Sequence, residues 1–98
     1  MNIKIKNFIL GNLIAVIDQV QSSIDVDNRD KTERLYEINL NYIYKTLDII
    51  LKDYLPKENQ LIKEEIKLIE SKSEPKSEKM IEICKKLISL GKRIIKNY

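Results

Sequence analysis

Four amphipathic segments at the helical period, very few turn-forming residues and short polar connections predict an all-α protein. The expected architecture is an antiparallel four-helix bundle formed by one domain over residues 1–98. Glycine and proline occur twice each, too few for the tight turns of an all-β fold. A chain of 98 residues suits one domain with one modest core. No repeat recurs at a fixed period, so a solenoid is not expected.

The first helix is predicted over residues 3–24. Leu10, Leu13, Ile14, Ile17, Val20 and Ile24 recur at the helical period, and Phe8, Ile9 and Val16 widen the stripe. A stripe this wide calls for two or more helical neighbours. Lys4 and Lys6 before the run Phe8–Ile17, with Val20-Gln21-Ser22 after it, have the outline of a leader peptide. Gly11 and Asn12 interrupt that run, Asp18 follows it, and the apolar spacing continues through Ile24, so a folded helix is the expectation. The run is also shorter than the roughly 20 apolar residues that span a bilayer, and no transmembrane segment is expected.

The second helix is predicted over 30–54. Asp30 with Glu33 three residues later reads as a capping-box-like start. Tyr36, Leu40, Ile43, Leu47, Ile50 and Tyr54 then alternate spacings of four and three, which makes one seam. Pro56 stops this helix, because proline disfavours α geometry in the residue before it. It can also open the third helix, predicted over 57–70, where Ile62, Ile66 and Ile69 give a short apolar face flanked by Leu61 and Leu68. Residues 71–77, with three serines and Pro75, form the clearest linker.

The fourth helix is predicted over 77–96. Met80, Ile81, Ile83, Cys84, Leu87, Ile88, Leu90, Ile94 and Ile95 form its apolar arc. The arc is wide enough to belong inside the bundle, and Gly91 within it points to close helix packing. Glu78 and Glu82 near the start and Lys92, Arg93 and Lys96 near the end complement the helix dipole. The net charge of +3 is unevenly placed: residues 1–82 carry 13 basic and 15 acidic side chains, and no acid follows Glu82. Lys85, Lys86, Lys92, Arg93 and Lys96 cover an arc of about 120° at 100° per residue. This stripe is the candidate partner-binding face. Read blandly it is a solvated outer surface; read functionally it contacts an acidic protein or anionic lipid.

Enzyme chemistry has little to work with. Histidine is absent, and the glycines are isolated in helical patterns rather than gathered in a phosphate loop. A single cysteine excludes an internal disulfide and any multi-cysteine zinc site, and its place in the apolar arc makes Cys84 a buried, inert thiol. No catalytic residue, cofactor or metal site is expected. Tyr36 and Tyr54 lie on the second-helix seam and are read as core. Tyr42 and Tyr44 lie off it, interleaved with Lys45 and Lys52 as base-stacking side chains are. Asp48 and Asp53 dilute that field, so nucleic acid is the weaker partner class and another protein the stronger.

Two segments carry a family resemblance. Asp53-Tyr54-Leu55-Pro56-Lys57, and the pattern Met80-Ile81-x-Ile83 leading to Leu87-Ile88-Ser89-Leu90-Gly91-Lys92, are similar to parts of the small bacteriocin immunity proteins of low-GC Gram-positive bacteria. The resemblance implies a cytoplasmic, antiparallel four-helix protein that protects its producer. It would act at the inner membrane surface by binding a membrane receptor–toxin complex, with specificity carried mainly by the C-terminal part. In several members a tail follows the fourth helix; here that helix is expected to run almost to Tyr98. A second resemblance joins Gln21-Ser22-Ser23-Ile24-Asp25 and Tyr42-Ile43-Tyr44-Lys45-Thr46-Leu47 to consecutive helices of flagellin export chaperones. That family's most recognisable N-terminal motif has no counterpart here. The second resemblance implies an adaptor for a helical protein partner.

Overall fold

A computed structural model describes residues 1–25 and 27–98. Four helices follow one another, α1 (Ile3–Ser23), α2 (Arg29–Leu51), α3 (Pro56–Glu70) and α4 (Lys76–Asn97), and no strand is present among the described residues. They form the expected antiparallel bundle, 42 × 23 × 21 Å in extent. Connections of four or five residues leave each helix no option but to run back against the one before it.

The start of α2 differs from the sequence expectation. Asn28, not Asp30, is the N-cap: its side chain accepts from the Lys31 backbone N–H at 3.1 Å. Asp30 sits in the first turn, where its charge meets the positive end of the helix dipole. The preceding connection is pinned at Thr32, whose buried hydroxyl accepts from Asp25 N–H at 2.9 Å and donates to the Asp25 carbonyl at 3.3 Å.

The end of α2 differs more. The helix stops at Leu51 rather than 54, and residues 52–54 form a turn in which Tyr54 and Leu55 N–H both donate to the Leu51 carbonyl. Pro56 is the cause, since it holds Leu55 at φ −135°, outside the helical region. Leu55 therefore turns into the core and Tyr54 swings out to 44% exposure, where its ring meets Phe8 edge-on at 6.3 Å. Tyr36 is buried as expected.

The core is drawn from all four helices, with Ile9, Leu13, Val16 and Val20 facing Leu40, Ile43, Leu47 and Ile50, closed by Ile62, Ile66, Ile83, Leu87 and Leu90. Each fully buried side chain of this size contributes roughly 1.5–3 kcal/mol of transfer free energy. The helices are not arranged as a square. α1 packs on α2 and α4, α3 packs on the same two, and α2 meets α4 through the centre; among the described residues α1 and α3 do not meet. In this rhombus α1 and α3 occupy the far corners. Leu61 and Leu68, expected to flank the α3 core face, are exposed for that reason.

Polar contacts fasten the same pairs. The Asn39 side-chain amide donates to Ser23 Oγ at 2.6 Å between α1 and α2. Asp48 on α2 takes Asn59 Nδ2 at 3.0 Å and pairs with Lys63, both from α3. These contacts, the Asn59 hydrogen bond foremost, hold the Asp48 carboxyl below its ordinary range.

Candidate partner-binding face

The cations of α4 divide between two sides of the helix. Arg93 turns toward α3, where its guanidinium donates to Glu58 Oε2 at 2.9 Å. Lys86, two turns earlier, falls on that same side by helical geometry. Lys85, Lys92 and Lys96 fall within about 40° of one another at 100° per residue, on the side that adjoins α1. Lys85 and Lys92 line hollows between α1 and α4. The five residues are thus not one stripe: one is engaged within the bundle, and two border a groove.

That groove is the feature the sequence analysis missed. One hollow, about 310 Å³, is lined by Leu10, Leu13, Ile14, Ile17, Ile88, Gly91, Lys92 and Ile95. A second, about 460 Å³, is lined by Gln21, Ile24, Ile81, Cys84, Lys85 and Ile88. Ile88 borders both, so the two hollows follow one another along the α1/α4 seam. The expectation that the bundle would claim the whole apolar arc of α4 is corrected here. Ile95 is 61% exposed and Ile81 36%, while across the groove Ile14 is 58% exposed. Because α1 sits at a corner of the rhombus with only two neighbours, its stripe is wider than those neighbours can cover.

A signal for this was present. Ile3, Leu10 and Ile17 recur every seven residues on α1, with Ile14 among them and Ile24 continuing the spacing just past its end, and Ile81, Ile88 and Ile95 recur every seven on α4. These positions fall on one edge of each helix, offset from the buried set, and two heptad-spaced edges meeting along a groove resemble half of a coiled-coil interface.

Gly91 lies on the groove floor. A Cβ built there would stand 3.4 Å from Leu13 Cδ2, an ordinary contact distance, so close packing does not require glycine at this position. Its missing side chain instead deepens the groove. Cys84 beside it is buried, and burial pushes its thiol up to about 11, leaving it protonated and unreactive at neutral pH. The end of α4 is tied to α1 by Lys6, whose ammonium donates to the Ile95 carbonyl at 3.3 Å.

Other surfaces offer less. A hollow of about 660 Å³ is lined by Asn28, Asp30, Glu33, Arg34 and Lys76, charges of both signs that largely offset each other. Tyr44, weighed for base stacking, is half-buried with its hydroxyl donating to Glu70 at 2.5 Å. Tyr42 is exposed. Among the described residues, no helix is long and apolar enough to cross a membrane. No protein-family model matches the chain, and neither a curated protein nor a solved structure matches it.

Proposed function

We propose that this protein is a non-enzymatic helical bundle that works by binding another protein, and that its specific role is immunity to a bacteriocin. The observation that carries the binding role is the α1/α4 seam, where Ile14, Ile81 and Ile95 stand in solvent beside Lys85 and Lys92 while the core is already closed. Single exposed apolar residues are ordinary on protein surfaces. A contiguous run of them along a groove marks an interaction site.

The immunity role rests on the resemblance of two segments to small immunity proteins. One forms the α2–α3 connection and the other runs through α4, the helix that supplies the lysine rim. In this reading the bundle works at the inner membrane surface, on a receptor–toxin complex, and protects its producer.

Expression in a toxin-sensitive strain is the test. Wild type should raise the tolerated toxin dose, and Lys85→Glu/Lys92→Glu should lower it again without loss of helical circular dichroism. Arg93 is a less informative target, because it also fastens α4 to Glu58. Undiminished protection by the double variant would remove the lysine rim from the mechanism. The groove would equally serve an export adaptor, which predicts a stable complex with a flagellar subunit; a pull-down with that subunit separates the two roles.

A further inference from the structure

We infer that the α1/α4 groove receives one amphipathic α-helix of a partner protein, about four turns long, whose apolar seam is flanked by two carboxylates seven residues apart that pair with Lys85 and Lys92. The inference rests on the protein-binding reading above and identifies the partner's chemistry.

Length comes first. The groove follows α4 from Ile81 to Ile95, which at 1.5 Å per residue is roughly 21 Å. That matches a helix of about four turns.

Shape comes next. The floor at Gly91 and Leu13 lies below the flanking isoleucines. Side chains projecting from a cylinder can reach such a floor, whereas a flat bilayer surface would rest on the rims. The seven-residue recurrence on both walls is the spacing into which the knobs of a third helix fit.

Charge decides the partner's sign. Lys85 and Lys92 occupy the α4 positions between the isoleucines, are exposed, and enter no ion pair among the described residues. They are seven residues apart, roughly 10.5 Å along the axis, and Lys96 adds to the same side. The flanking acids are Asp18 on α1 and, on α4, Glu78, which is exposed and continues the heptad row of Lys85 and Lys92 toward the start of the helix. A second copy of this chain on the groove would set Lys85, Lys92 and Lys96 of each copy against only these two acids of the other, leaving cations in excess on both sides. A helix with carboxylates at the spacing of Lys85 and Lys92 leaves neither lysine unpaired.

The test uses the full chain and two synthetic peptides of 21 residues. Both carry leucine at the seam positions of three heptads. One has glutamate at a flanking position of each heptad and the other has lysine there. Isoleucine-methyl NMR should show the acidic peptide shifting Ile14, Ile88 and Ile95, with the basic peptide binding at least about tenfold more weakly. Lys85→Glu/Lys92→Glu should reverse that preference, and Lys85→Gln/Lys92→Gln should abolish it. Equal binding of both peptides, or shifts confined to other isoleucines, would overturn the inference. So would the same methyl shifts produced by self-association at high protein concentration, or by phosphatidylglycerol vesicles, when the acidic peptide produces none. The outcome is separable from the immunity role. A chain that protects cells and ignores both peptides loses this inference alone; one that takes the acidic peptide and fails to protect loses only the immunity role.

Discussion

Gly11 lies in the interior of α1 with nothing within 4 Å of where a Cβ would stand. Glycine there costs about 1 kcal/mol relative to alanine, so Gly11→Ala should raise the melting temperature by about 4–8 °C, read by circular dichroism. Tyr44 sets a different test. Burial, and then the hydrogen bond to Glu70, raise its phenol above the ordinary value of 10.0. A group that holds its proton more tightly when folded stabilises the fold below its unfolded value and loses that contribution as pH rises past it. Denaturant midpoints should therefore fall from about pH 10 upward, and Tyr44→Phe should flatten that decline; parallel curves for the two proteins would refute the assignment. At this scale the sequence was legible where periodicity alone decides, as at Tyr36 and Cys84. It misled at Tyr54 and Asp30. Both fall at helix ends, where Pro56 and the competing cap Asn28 override the pattern.

At the scale of the helix, the four-three seam of α2 was legible up to its end: Tyr36, Leu40, Ile43, Leu47 and Ile50 are buried, while Tyr54, beyond the end of the helix, is exposed. Leu47→Ala should cost about 2–5 kcal/mol, while Ile49→Ala, on the 62% exposed side two residues on, should stay within about 0.5 kcal/mol. Similar costs for the two would mean the seam is misplaced. Helices α1 and α4 were legible as helices, but the division of their apolar arcs was not. Periodicity reports how wide an arc is, and not how much of it the neighbours will cover. Ile14 and Ile95 look like core residues in any helical projection. Only the corner position of α1, with two neighbours instead of three, leaves them outside.

For the whole molecule, four helices joined by connections of four or five residues leave little freedom beyond an antiparallel bundle, which is why the architecture could be read in advance. The choice between a square and a rhombus could not, because it depends on how side chains on different helices interdigitate. That choice creates the candidate site. Direct contact between α2 and α4 through the centre sets α1 and α3 at the far corners, and Lys85 and Lys92 stand along the outer side of the seam between α1 and α4. The charge stripe seen in the sequence is thereby resolved into a cross-brace at Arg93 and a rim at the two lysines. The central claim is that Ile14 and Ile95 are apolar for a partner rather than for the fold. The measurement that tests it most directly is the toxin dose tolerated by a sensitive strain carrying Ile14→Glu/Ile95→Glu, whose exposed positions should leave folding intact, beside the same strain carrying wild type. The account predicts protection by wild type and its loss in the variant; undiminished protection by the variant would contradict it.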